Sequence, residues 1–385
     1  MSQPRVLFAI TVYNGAAFVP DCLRSAAAMR PVETEVDVLV LDDASPDPGF
    51  SDEIESLCRD LGIDYYRTPR NLGIPRNVNM GLLRGMDADY DYVVIANSDV
   101  CFSERLTDTL VATALSDPMI GSVTSWSNNV SLFSLPNSDP DRYLSDQVTV
   151  SWLARLLERT FGTQAIDIPA GISFAILLPV PVLRKVGLMD PVFGRGYCEE
   201  TDWSLRSLEM GFRIVLAPGA FTYHQGGGAN VAAGLVSAGH TTVPENEAII
   251  DMRWPEFRVQ VADFEQRGEL KRARETAIDA IMRDAAGRLG YVITMGGSAA
   301  DVELDAPIVE LSSRGARLVP VAHYLGFSCA LHIEGEMTQA ITSWFGRPPS
   351  EVRIFEPSAT MHDLAAGFAA LGSVIDRHVS YPTSV

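Results

Sequence analysis

The first hundred residues switch repeatedly between two periodicities. Runs rich in β-branched and aromatic residues occupy 5–14 (RVLFAITVYN), 35–45 (EVDVLVLDDAS), 63–69 (IDYYRTP) and 90–100 (YDYVVIANSDV). Between them lie stretches with helical spacing: 17–29 (AFVPDCLRSAAAM), 50–62 (FSDEIESLCRDLG, closed by Gly62) and 77–86 (NVNMGLLRGM). Strands that alternate with helices pair in parallel, with the helices on the faces of one sheet. The pattern predicts an α/β domain around an open, Rossmann-like, mostly parallel central sheet. Ligands of such sheets bind beyond the carboxyl ends of the strands. The polar residues at these strand ends are Thr11 and Tyr13, Asp42 and Asp43, and Asn97, Ser98 and Asp99. They are therefore expected in one cleft although they are far apart in sequence.

After Val100 the alternation loosens. Helices are expected over 103–115 and 150–161, a turn-rich stretch over 125–147, and an apolar segment over 166–180. One or two strands then end at His224, just before the glycine run 226–228. Residues 230–258 are rich in Gly, Ala and Pro without a clear period. The expected organisation is a domain over 1–235, a linker over 236–258 and a smaller C-terminal domain over 259–385, α/β or helical. The last would grip an acceptor or mediate oligomerisation. It opens with one long charged helix or two shorter ones broken at Gly268. A chain of 385 residues fits two domains.

A net charge of −19 repels phosphate backbones and anionic lipid, which excludes nucleic acid as a partner. A nucleoside diphosphate can still bind where a metal ion or arginines offset the field. The longest apolar stretch, 171–183, is short for a bilayer span and contains two prolines. The N-terminus reads as a strand rather than a signal peptide. The five cysteines form no CxxC pair and read as reduced thiols. A cytoplasmic protein is expected, soluble or peripheral to the membrane.

Several short motifs carry oxygen or nitrogen ligands. Asn97-Ser98-Asp99 offers hard ligands suited to Mg²⁺ or Mn²⁺, although the same residues are common in turns. Asp42 and Asp43 suit a nucleoside base or ribose, or simply a helix cap. Arg70 and Arg76 in PRNLGIPRNVNMGL suit a diphosphate, or a solvated helix start. His224 is either a metal ligand or structural. GYCEETDWSLR (196–206) crowds Glu199, Glu200 and Asp202 together. Acids in a first helical turn complement the helix dipole, and Asp202 can pair with Arg206. That explains one or two of the acids; a carboxylate facing a cleft can also act as a general base, with its proton affinity kept up by like-charged neighbours.

In order and spacing these motifs, together with LVLDDASPD, TSWSNNVSLFSLPN and IPAGISFAILLPVPVLRKVGLMDPVFGRGYCEETDWSLRSLEMGFRIVLAPGAFTYHQGGGA, resemble the inverting family 2 glycosyltransferases of GT-A fold. The last block looks like the branch that assembles O-antigens and related polysaccharides. The resemblance runs from about residue 5 to about residue 230. It implies a UDP- or dTDP-sugar donor, an Mn²⁺ or Mg²⁺ ion and an acceptor hydroxyl on a glycan, lipid-linked saccharide, small molecule or protein. It places Tyr13 against the base, with Thr11 in the same strand end, Asp42 on the base N3–H with Asp43 beside it, and Arg76 near the diphosphate. Asn97-Ser98-Asp99 stands where the family has its DxD motif, so Asp99 and His224 are implied as metal ligands. Glu200 is implied as catalytic base, with Glu199 as the close alternative and Asp202 as a structural partner. Cys198 and the glycine-rich QGGGAN depart from the usual pattern; they imply a packing thiol and a mobile lid. Neither the Gly-rich basic loop of nucleotidyltransferases nor the GxGxxG of dehydrogenases follows the first strand. A catalytically silent sugar-nucleotide-binding scaffold is the non-enzyme alternative.

Overall fold

The computed structural model describes residues 2–130, 132–135, 146–225, 243–296, 305–314, 317–355 and 358–376. The chain divides into two compact units, Met1–Lys271 and Arg272–Val385.

The first unit opens with β1 (Arg5–Val12), α1 (Val19–Ala27), β2 (Glu35–Asp42), α2 (Pro48–Leu61), β3 (Asp64–Arg67), α3 (Ile74–Asp87) and β4 (Tyr92–Ala96). It continues with β5 (Val100–Phe102), α4 (Leu106–Leu115), β6 (Ile120–Ser127), α5 (Gln147–Phe161), β7 (Ile166–Asp167), β8 (Ala175–Pro179) and α6 (Val180–Val186). Then come α7 (Glu199–Glu209), β9 (Arg213–His224), α8 (Pro244–Arg253) and α9 (Phe257–Arg267). The sheet order is β3-β2-β1-β4-β8-β6-β9-β5, with β7 on β9. β1, β2, β3, β4, β6 and β9 run one way, and β5, β7 and β8 oppose them. This is the expected mostly parallel sheet.

Burial on both faces explains why β1 reads as a nearly continuous apolar run. Val6, Phe8, Ile10 and Val12 pack on one face with Val19, Cys22, Leu23 and Ala26 of α1. The opposite face receives α3. There a Cβ on Gly81 would lie 2.9 Å from the Ala9 Cβ, and one on Gly85 would lie 2.2 Å from a Val93 methyl. Two glycines one turn apart thus let α3 lie close against the sheet, with its N-terminus at the strand ends. The helix begins at Ile74, before the expected 77, because Pro75 is tolerated in the first turn.

The strand expected to end near His224 is one continuous element, β9, with a register irregularity opposite Ser125 and Trp126. Residues 244–253, within the expected linker, form a helix. Trp254 and Arg253 of that region donate to the buried Asp202 of α7. Gly268, left-handed at φ 67°, separates α9 from the next helix.

The second unit contains α10 (Glu269–Leu289) from Arg272 onward, β10 (Val292–Met295), β11 (Ile308–Arg314), β12 (Arg317–Tyr324), β13 (Phe327–Ala330), α11 (Met337–Phe345), β14 (Glu351–Ile354), α12 (Ala359–Ala370) and β15 (Val374–Asp376). Its sheet runs β13-β12-β11-β10-β14-β15, so this part is α/β. Tyr291, stacked on Phe345 at 4.1 Å between ring centroids, belongs to its core.

Candidate active site

Three strand ends meet as the topology requires. The Asp43 N–H donates to the Val12 carbonyl at 2.8 Å, and the Asn14 N–H donates to Ser45 Oγ at 2.9 Å. Thr11 Oγ1 donates to the Ala96 carbonyl at 3.3 Å. Thr11, Tyr13, Asp43, Asn97 and Asp99 are thereby gathered along one edge of the sheet.

The two aspartates after β2 differ sharply. Asp42 is fully buried, and both its oxygens are occupied. Oδ1 accepts from the Ser45 N–H and hydroxyl at 2.9 and 2.7 Å, and Oδ2 accepts from Ser51 Oγ and the Tyr65 hydroxyl, each at 2.7 Å. Arg67 Nε lies 3.5 Å from the same oxygen. Asp42 knits the loop after β2 to α2 and β3, and its carboxylate is saturated. Asp43 Oδ1 accepts from the Leu72 N–H and from Thr68, while Oδ2 accepts only from the Gly73 N–H at 2.9 Å. Burial raises its pKa against those N–H donors. Asp43 thus ties the start of α3 to the strand ends. Arg76, in the first turn of α3, is exposed, as is Arg70.

Asp99 and His224 come together across the β5–β9 pairing, with Oδ1 and Nε2 3.3 Å apart. The His224 Nδ1 lies 2.9 Å from the Asn129 carbonyl. A ring whose Nδ1–H is held by a carbonyl presents its Nε2 lone pair, the usual arrangement in a metal-bound histidine. Two ligands at about 2.1 Å from one octahedral cation lie roughly 3 Å apart in cis positions, so the pair fits a hard divalent ion. Ser98 Oγ is buried without a hydrogen-bond partner beside them. Among the described residues no group of three His, Cys, Asp or Glu side chains forms a ready-made cage. An ion here would complete its shell with water or substrate phosphate oxygens, as Mg²⁺ commonly does. Burial favours the neutral imidazole, but the Asp99 carboxylate and the Asn129 carbonyl outweigh it and raise the His224 pKa. Gly226–Gly228 lie outside the described residues.

The acidic cluster divides by role. Asp202 is buried. It accepts from Arg206 Nε at 2.9 Å, Arg253 Nη1 at 3.0 Å and Trp254 Nε1 at 3.1 Å, which makes it an anchor for α7. Glu199 and Glu200 are the first two residues of α7. The chain reaches them through Gly194, Gly196, Tyr197 and Cys198, all at positive φ. Tyr197 and Cys198 are both left-handed at 74°, each a strain of about 1–3 kcal/mol that the surroundings must hold. One Oε2 on each glutamate is buried without a hydrogen-bond partner. Burial, then the Glu200 charge, pushes the Glu199 pKa well above the usual carboxylate range. Burial also raises that of Glu200, opposed by its own N–H and by the Ser173 N–H and hydroxyl. The Cys198 thiol is pushed up to about 12 by burial and by these acids, so it is a packing group rather than a nucleophile.

Ser173 and Phe174 link the two halves of the site. Ser173 donates to Glu200, the Phe174 carbonyl accepts from the Asn97 N–H at 3.1 Å, and the Phe174 ring stacks on His224 at 5.8 Å. Neither was anticipated as a site residue. Both stand inside a run whose apolar character reads as core; the only local signal is the Gly171–Ser173 break before it. Gly171 packs closely on the strand that follows: a Cβ there would lie 2.6 Å from Ile176 Cδ1 and would push that methyl aside. Its N–H donates to Ser204 Oγ, which in turn donates to the Glu200 carbonyl.

Residues 8–186 match the model of the family described as glycosyl transferase family 2. The chain carries a glycosyltransferase family 2 domain. An undecaprenyl-phosphate mannosyltransferase of Micrococcus luteus is 27% identical over 260 residues, covering 67% of this chain and 99% of that one. Two solved structures share 18% and 14% identity. One is a mannosyltransferase from Pyrobaculum calidifontis with GDP-Man and Mn²⁺, at TM-score 0.46 over 75% of this chain and 76% of its own. The other is GalNAc-T7 with UDP, GalNAc and Mn²⁺, at TM-score 0.45 over 58% of this chain and 44% of its own. The family match over 8–186 and the mannosyltransferase relative support a glycosyl transfer role for this α/β protein. Glu199, Glu200 and His224 all lie beyond the matched segment. Among the described residues, no helix is long and apolar enough to cross a membrane.

Proposed function

We propose that this glycosyltransferase moves a sugar with inversion from a UDP- or dTDP-sugar to an acceptor hydroxyl, with Glu200 as general base. The observation that carries this reading is the Glu199–Glu200 pair at the start of α7, Glu199 buried and Glu200 half-buried, joined through Ser173 and Phe174 to Asn97 and His224. Tyr13 lies against the base. Asp43, with one oxygen lightly engaged, is better suited than the saturated Asp42 to accept a base N–H. Arg76 faces the diphosphate, and Thr11, Asn97 and Ser98 line the strand-end floor. Asp99 and His224 would hold Mn²⁺ or Mg²⁺, which when bound offsets the charge of the leaving diphosphate.

The base must carry no proton before it can take one. Burial keeps the proton affinity of both acids up, and the Glu200 charge adds to this for Glu199. The acceptor oxygen forms its bond to the anomeric carbon as the bond to the diphosphate oxygen breaks, and the hydroxyl proton passes to the Glu200 carboxylate. A phosphate acceptor, of the kind named for the Micrococcus relative, needs no base, because its oxygens are already ionised. It would also be repelled by two adjacent carboxylates. The acid pair therefore favours a hydroxyl acceptor, on a glycan, a lipid-linked saccharide, a small molecule or a protein. The first unit, through α9, is the catalytic part, and the second serves acceptor binding or assembly. The protein works in the cytoplasm or at a membrane surface.

Calorimetric titration of UDP, dTDP, GDP, CDP and ADP, with and without Mn²⁺, tests the donor site. Tight binding of UDP or dTDP that EDTA weakens is expected. Preference for GDP overturns the base assignment, and binding of none makes the silent scaffold the better reading. Transfer to undecaprenyl phosphate but to no hydroxyl would overturn the acceptor class.

A further inference from the structure

We infer that Asn246, in the first turn of α8, is a positioning residue for the catalytic base. The inference rests on the assignment of Glu200 proposed above. The Asn246 side chain is buried, and its Nδ2 lies 3.0 Å from the Phe193 carbonyl oxygen, 2.7 Å from that of Gly196 and 2.9 Å from that of Tyr197. These carbonyls belong to the turn that delivers Glu199 and Glu200. Four of its five residues from 194 to 198 have positive φ, two of them without the freedom of glycine.

A turn that curls this tightly points its carbonyl oxygens at one another. Acceptors turned away from water need donors, and oxygens converging on one point repel unless a donor stands between them. A primary amide brings two N–H groups on one nitrogen, shared here among three acceptors. Of the three, the Phe193 carbonyl also accepts from the Gly196 N–H, and the neighbouring Arg195 carbonyl accepts from the Ile74 N–H of α3. On its far side the turn abuts α3, where a Cβ on Gly73 would lie 2.2 Å from the Gly194 oxygen. The turn is thus pressed against α3 on one side and held by Asn246 on the other. α8 is itself fixed to α7 by Arg253 and by the following Trp254, both on Asp202. Asn246 acts through the turn and touches neither carboxylate, so its role is to fix where the first turn of α7 begins.

The test compares Asn246→Ala and Asn246→Asp in the full chain, after transfer by the parent and its loss in Glu200→Gln have been established. A parent that transfers no sugar fails the functional reading, and this is seen before any Asn246 variant is made. Asn246→Ala is expected to lower kcat about 10- to 100-fold, because a misplacement on the order of 1 Å has that effect. Donor KM and nucleotide affinity should stay within about twofold. Asn246→Asp has the same size but turns a carboxylate on three carbonyl oxygens, so it should be at least as damaging as alanine. Amide hydrogen exchange over residues 194–200 should quicken in both variants. If aspartate works as well as asparagine, the side chain only fills space and the inference falls. It falls equally if exchange quickens while kcat stays at the parental value, or if kcat and nucleotide affinity drop together in proportion to lost folded protein.

Discussion

Two pairs of adjacent acids, Asp42–Asp43 after β2 and Glu199–Glu200 at the start of α7, look alike in sequence and are treated oppositely by the fold. Asp42 meets five donors or cations, and Asp43 meets three donors. The glutamates stand side by side, Glu199 buried and Glu200 half-buried, with one buried oxygen apiece left without a partner. Burial with donors makes a carboxylate part of the scaffold. Burial beside another acid raises its proton affinity, which is what a proton-accepting group needs.

The contrast can be broken most decisively at Glu200. Glu200→Gln keeps the size and removes the base, so transfer should fall roughly 10²- to 10⁴-fold while nucleotide affinity stays near the parental value; steady-state kinetics with calorimetry measures both. Retained activity would move the role of base to Glu199. Next in size is Asp42→Ala, which strands Ser45, Ser51, Tyr65 and Arg67 and should lower stability by about 3 kcal/mol in urea unfolding. If stability holds and only donor affinity falls, Asp42 rather than Asp43 reads the base. Asp43→Asn should weaken nucleotide binding by about tenfold, the size of one charge-assisted hydrogen bond of roughly 1.5 kcal/mol; unchanged affinity would remove it from the donor site.

The smallest effect sharpens the comparison through pH. The folded pKa of Glu199 lies above its unfolded value, so the folded state holds that proton more tightly. The penalty for burying it is absent below the unfolded pKa and grows as pH rises through the raised folded value. Glu199→Gln should therefore raise the urea midpoint at pH 8 relative to the parent and leave it unchanged near pH 4. An equal effect at both pH values would show that the gain has nothing to do with ionisation.

Much of this was legible beforehand because it rests on local rules. The helix 50–62 ends at Gly62, where φ is 71°, and α9 ends at Gly268; both stops follow from glycine's access to the left-handed region. The clue that Asp42 is structural is also present in the chain, though only in hindsight. Tyr65 and Arg67 alternate along a strand, so both face the same side, and both can donate. The helix in the expected linker was not legible, since PENEAIIDMR has little periodicity and gains its place from Asp202, 50 residues away.

The alternation of strands and helices alone determined a parallel-centred sheet whose carboxyl edge collects Thr11, Tyr13, Asp43, Asn97 and Asp99, because hydrophobic period and crossover handedness leave few other arrangements. Only the tertiary structure decided which acid is saturated and which is left with an open oxygen. It alone brought Ser173 and Phe174 between Glu200 and His224, and Asn246 under the turn that leads into Glu199 and Glu200. Those outcomes depend on donors supplied from distant segments and on exclusion of water, and neither is encoded in the spacing of residues along the chain.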